Sequence, residues 1–148
     1  MKNYGKVLLY SYPKLTKLKT QLTSLAMDKA IASFYSEYDC ERIAKDIIRL
    51  HDAENIIGET KEKMDKALGK FTKEEIEYFE HRYFKTQVVE KLKPRSDDRQ
   101  YFRIQRKLFL KFMAYLERAG LTEEWYDKNC LKLRYFSDMS ALYEEARL

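Results

Sequence analysis

Residues that readily punctuate a helix are scarce in this chain of 148 residues: it contains four glycines and two prolines. A turn-rich β fold of this length would need many more, because chain reversals draw on the positive φ of Gly and the fixed φ of Pro. The scarcity predicts long uninterrupted helices and an all-α fold. Where the punctuation falls divides the chain. Pro13 suits the first turn of a helix, where its missing N–H would have no partner anyway, and follows a short segment around residues 3–10. Gly69 and Gly120 suit helix ends. Pro94 biases Lys93 away from helical geometry and must break any helix that reaches it.

Between Pro13 and Gly69, Leu15, Leu18, Leu22 and Leu25 recur at spacings of three and four, a narrow seam on a helix reaching about Tyr35. Ser36-Glu37-Tyr38-Asp39 reads as a turn, with Asp39 a candidate N-cap. A second helix then carries Ile43, Ile47, Leu50, Ile57, Met64 and Leu68, with Glu54 and Lys61 interrupting its seam. Two long helices and a short turn predict an antiparallel hairpin over residues 1–70. Such a hairpin is a candidate surface for homodimerisation or for a protein partner.

Residues 71–148 read as a second part. Thr72-Lys73-Glu74-Glu75 has the Thr-x-x-Glu pattern of a capping box and predicts a helix from 72 or 73 to about 85, with Ile76, Phe79 and Tyr83 on its buried face. A short helix fits 86–92, ahead of the break at Pro94. Ser96 can cap a long helix over 97–119 that ends at Gly120. Thr122-Glu123-Glu124 starts a helix containing Trp125, and a last helix covers about 132–146. The aromatics of this end (Trp125, Tyr126, Tyr135, Phe136 and Tyr143) are expected as core packing under the long helix rather than as a partner surface or a platform for stacked bases.

Charge is concentrated rather than spread. The formal net charge is +5, with 36% charged and 45% apolar residues. That balance excludes a disordered tail and a membrane protein, and no apolar run approaches spanning length. Residues 91–111 hold eight Lys/Arg and two Asp, a local net charge of +6. On a helical wheel Tyr101, Ile104, Leu108, Phe112, Tyr115 and Ala119 fall within about 40° of one direction, and Arg99, Arg103 and Arg106 within about 20° of the opposite one. Gln100 and Lys107 flank the arginines, and Lys111 continues the charge on a flanking side. Guanidinium groups in such a row can clasp phosphates or pair with two acceptors of guanine in the major groove of double-stranded DNA. The competing reading is a solvated basic face.

A helix, a very short helix, a tight break and a basic helix, in that order, resemble region four of bacterial sigma factors and the related small phage and Firmicute regulators of the ArpU type. The resemblance covers about residues 71–120. Phe71 through Phe84 is similar to the opening helix of that region, Val88-Val89-Glu90-Lys91-Leu92 to the first helix of its helix-turn-helix, and Ser96 through Lys107 to its recognition helix. It implies a sequence-specific DNA-binding protein acting in bacterial or phage transcription, with double-stranded DNA and RNA polymerase as partners. It further implies that Arg99, Gln100 and Arg103 face bases while Arg95, Ser96, Arg106 and Lys107 contact phosphate, a division between reading and positioning. The chain departs from the family at Val89, where a small residue is usual, and at Lys93-Pro94, where glycine and an aliphatic residue are usual. Asp97 and Asp98 suit the positive end of a helix dipole but repel phosphate.

No catalytic, cofactor or metal site is expected. His51 lies near Asp52 and Glu54, and His81 shares a helix face with Glu77, but a metal site needs three or four converging ligands. Glu74, Glu75, Glu77 and Glu80 are explained by the dipole of the helix they open. A phosphate-binding glycine loop and a nucleophile motif are both missing from the sequence. Cys40 and Cys130 have no partner motif, and the opening Met1-Lys2-Asn3-Tyr4-Gly5-Lys6 leads only into Val7-Leu8-Leu9-Tyr10. Free thiols in a cytoplasmic protein are the expectation.

Overall fold

The computed structural model describes residues 4–35, 40–84 and 99–146, apart from the side chains of 33–35, 40, 145 and 146. All ordered elements among them are helical: α1 (Tyr4–Ser11), α2 (Leu15–Tyr35), α3 (Cys40–Leu68), α4 (Lys73–Phe79), α5 (Arg99–Arg118), α6 (Glu123–Asn129) and α7 (Arg134–Ala146). Single tighter turns at Tyr12–Lys14 and Cys130–Lys132 join α1 to α2 and α6 to α7, and a π-helical turn at Glu80–Phe84 extends α4. The described residues contain no strand, and none of their helices is long and apolar enough to cross a membrane. The short helix expected at 86–92, the break at Pro94 and the cap at Ser96 lie outside the described residues.

The chain forms two compact units, residues 1–13 with 62–148 and residues 14–61, so the boundary falls inside α3 rather than at Gly69. In the first unit the termini of the helices are fixed by local chemistry. Thr72 has extended geometry; its Oγ1 accepts the Glu75 N–H at 3.2 Å, and its own N–H donates to Glu75 Oε1 at 2.9 Å. Both bonds of the capping box are therefore made, which satisfies two donors that a helix start leaves without intrahelical partners. Thr122 caps α6 by accepting the Trp125 N–H at 3.2 Å. At the end of α5, Gly120 has φ +96°, its N–H donates to the Glu117 carbonyl at 3.0 Å, and the Leu121 N–H donates to the Leu116 carbonyl at 3.0 Å. These two bonds define a Schellman motif, completed by apolar burial of the residues it joins, Leu116 and Leu121.

The core of this unit is aromatic. Phe79, Phe112 and Phe136 are fully buried. Phe79 meets Phe112 at a centroid distance of 6.0 Å and Phe71 edge-on at 5.0 Å, while Phe71 meets Tyr115 at 5.3 Å. A second cluster joins Tyr4, Tyr126 and Phe136 across α1, α6 and α7. These spacings are those at which ring quadrupoles add to area burial. Of the C-terminal aromatics expected in the core, Tyr126, Phe136 and Tyr143 are buried, while Trp125 and Tyr135 are half-exposed. Gly5 brings α1 close against α5, so that a Cβ there would displace the Met113 side chain. The Cys130 side chain is fully buried.

The second unit is less densely closed. Lys29 of α2 pairs with Asp46 of α3 at 3.2 Å, and Lys19 Nζ lies 3.3 Å from where a Gly58 Cβ would stand. Leu15 and Ile57 are buried, Leu18 and Leu22 half-buried, and Leu25, Met27, Ile31 and Ile48 exposed. Thr60 is buried with its hydroxyl donating to the Ile56 carbonyl at 2.7 Å, the bond that makes a threonine tolerable within a helix.

Candidate nucleic-acid interface

The basic segment forms α5 from Arg99 onward, so Arg99, Gln100, Arg103, Arg106 and Lys107 are projected from one helix, while Arg95 and Ser96 lie outside the described residues. All five are exposed. Arg99, Arg103, Arg106 and Lys107 have no carboxylate within ion-pair distance among the described residues. Lys107 is nonetheless near enough to Glu75 to act on its carboxylate.

The five border two different depressions of the surface. Arg99, Gln100, Arg103 and Lys107, with Ile104, line a shallow concavity of about 410 Å³. Arg106 instead lines a different, larger groove. Next to the concavity stands Glu75, whose carboxylate lies 3.9 Å from Lys111 Nζ. Its pKa is held below the ordinary value, first by the bond from the Thr72 N–H and then by Lys111 and Lys107, against partial burial. One capping residue thus opens α4 and places a negative charge at the border of the basic face.

The opposite face of α5 is buried in a register rotated from the sequence expectation. Tyr101, Leu108 and Phe112 are buried as predicted, but Ile104, Tyr115 and Ala119 are half-exposed, and Gln105 and Leu116 are buried in their place. On the side towards which the buried face is turned, Gly5 and Lys6 of α1 lie against Met113 and Phe109. Gln105 follows from this rotation: its Nε2 donates to the Tyr78 carbonyl at 2.8 Å and to the Tyr101 hydroxyl at 3.0 Å. That hydroxyl also lies 2.5 Å from His81 Nδ1 in the π-helical turn. The sequence signal for this network is weak, a glutamine four residues after a tyrosine on a mostly apolar face.

The histidines show no convergence on a metal. His51 faces Glu54 at 3.9 Å with two thirds of its side chain exposed, and His81 is engaged by Tyr101. The described residues contain no group of three metal-ligating side chains. No protein-family model matches the chain, and no curated protein or solved structure is significantly similar to it.

Proposed function

We propose that the chain is a sequence-specific binder of double-stranded DNA acting in bacterial or phage transcription, without catalysis, through a helix-turn-helix of the sigma region four type whose recognition helix is α5. The observation that carries the reading is the exposed row Arg99, Arg103 and Lys107 with Gln100, presented by one face of a helix whose other face is locked into an aromatic core. A helix has the width of the major groove, and arginine and glutamine forks match base edges there. Burial of Tyr101, Leu108 and Phe112 holds that face rigid, which is what precise readout needs. Arg95 and Ser96 belong to the proposed phosphate contacts, together with Arg106 and Lys107. In this reading α2 and α3 form the antiparallel hairpin, and RNA polymerase is a second partner.

Duplex binding by the wild type and by an Arg99→Ala/Arg103→Ala variant, at two salt concentrations, tests the proposal. The wild type is expected to bind and to weaken steeply with salt, because each neutralised phosphate contributes a slope of about −0.9 in log K against log salt. The double variant is expected to bind more weakly at a nearly unchanged salt slope, because both arginines are assigned to base edges rather than to phosphate. An absence of salt-sensitive binding to every duplex pool contradicts the proposal.

A second reading is a helical protein-interaction module, which the exposed Leu25, Met27, Ile31 and Ile48 of the 14–61 unit favour. There the hairpin makes a homodimer or seats a polymerase or sigma partner, and the basic face is only solvated. Association through those residues should be insensitive to salt, which separates the two readings.

A further inference from the structure

The charge on α5 does not end with the basic concavity. At the helical turn of about 100° per residue, Gln100, Lys107, Lys111 and Arg118 fall within about 20° of one direction. The stripe they form is about 27 Å long at the usual rise per residue. Its far end borders a second depression, of about 610 Å³, where Tyr115 and Arg118 of α5 meet Asp65, Lys66 and Lys70 at the end of α3. All of these residues belong to one compact unit.

Three cations face one carboxylate there, and Lys66, Lys70 and Arg118 are all exposed, open to an approaching anion. Asp65 accepts the Tyr12 hydroxyl, and Lys66 has Glu62 at 3.7 Å. Lys70 and Arg118 have no carboxylate within ion-pair distance among the described residues. Arg118 lies over the Tyr115 ring, its Cζ 5.9 Å from the centroid. A cation in the last turn of a helix also suits the dipole, and Lys66 and Arg118 each stand in one. The dipole does not account for their meeting Lys70, which follows α3, in one depression that continues the row on α5. The major groove is about 12 Å wide, less than half the length of that stripe. A helix with its first turns among base edges therefore carries its last turns past the phosphates that border the groove.

We propose that Lys70 and Arg118, with Lys66 beside them, bind the phosphate backbone of the strand flanking the groove that α5 enters. The proposal rests on the reading of α5 as the duplex-binding helix and adds a contact from the end of α3, outside the helix-turn-helix. Such a contact positions the protein and reads no sequence. Held at both ends of the stripe, α5 has its angle to the duplex fixed, which contacts at one end alone leave free.

Binding of the full chain to a random-sequence pool of double-stranded DNA, titrated between about 50 and 200 mM salt, tests the proposal. Lys70→Gln and Arg118→Gln are each expected to lower the magnitude of the salt slope by about 0.9. Both should weaken binding equally across sequences, so that the pool members enriched by the wild type stay the same. Arg118→Lys keeps the charge and is expected to keep the slope. Lys132→Gln, at an exposed lysine outside both depressions, removes the same charge and is expected to leave the slope unchanged. All four positions are exposed to solvent or conservatively replaced, and the wild-type thermal midpoint is expected throughout. Salt-sensitive binding by the wild type with unchanged slopes in Lys70→Gln and Arg118→Gln, or an equal fall in Lys132→Gln, overturns this contact alone. A wild type with no salt-sensitive binding overturns the DNA reading and this contact together.

Discussion

Phe79, Phe112 and Phe136 are fully buried in the unit of residues 1–13 and 62–148, whereas Leu25, Met27, Ile31 and Ile48 in the 14–61 unit keep about half or more of their surface. Both units are helical, yet they hold their helices by different means. In the first, short helices are pinned at their ends by a capping box and a Schellman motif and stacked on rings from five elements. In the second, two long helices are joined by one described ion pair and a seam whose apolar residues become more exposed from Leu15 to Leu25. Stability is therefore expected to be uneven, with the 14–61 unit opening at lower free energy. The proposed reading helix, α5, belongs to the first kind of construction.

The largest effect should separate the units directly. Phe112→Ala is expected to lower unfolding free energy by about 3–5 kcal/mol, the range for a fully buried ring, and Leu25→Ala by less than about 0.5 kcal/mol. Urea unfolding of both variants checks this. A large loss from Leu25→Ala would show that its seam is closed and that the contrast between units is false.

End chemistry comes next. Gly120→Ala forces a side chain into φ +96° and is expected to cost about 1–2 kcal/mol, with Thr72→Ala costing about 1 kcal/mol. Equal losses on removing α2 residues of similar exposure would erase the distinction between capped and uncapped construction. The same unit should also govern alkaline behaviour. Burial pushes the hydroxyls of Tyr83 and Tyr126 up to about 12, for Tyr126 against the bond to Ser140. A raised folded-state value means that the folded form holds the proton more tightly. That stability is fully present below the ordinary tyrosine value near 10 and is lost as pH rises towards 12. Urea midpoints measured across that window should fall more steeply for the wild type than for Tyr83→Phe.

Much of this architecture is legible in the residues. Thr72 and Glu75 announce their capping box, Gly120 its left-handed position, and the scarcity of Gly and Pro the all-helical chain. The exposed arginine row follows from the period of α5 alone. What escapes is what depends on a distant partner. The short run at residues 3–10 is apolar enough for several fates, and its closeness to Met113 and Phe109 as the helix α1 has no signature in its own residues. Nor does any local pattern mark Gln105 as buried and Gln100 as exposed. The π-helical turn at Glu80–Phe84, which sets His81 beside Tyr101, likewise has no signature in its own residues.

A smaller effect concerns association. If the exposed apolar residues of the 14–61 unit join two copies, Ile31→Glu should shift the protein from dimer to monomer in sedimentation, with the thermal midpoint of the aromatic unit unchanged. A wild type that stays monomeric at high concentration removes the dimer from the account.

The central claim, that the face of α5 is a duplex-binding surface, is tested most directly by the salt slope of single-charge variants. Arg103→Ala and Lys107→Ala should each lower the magnitude of the slope by about 0.9 if the group neutralises a phosphate, or weaken binding at nearly constant slope if it reads a base. Lys45→Ala, an exposed lysine of the other unit paired with Glu41, should leave both affinity and slope unchanged. Equal effects from all three variants, or none from the two on α5, would contradict the assignment of that face.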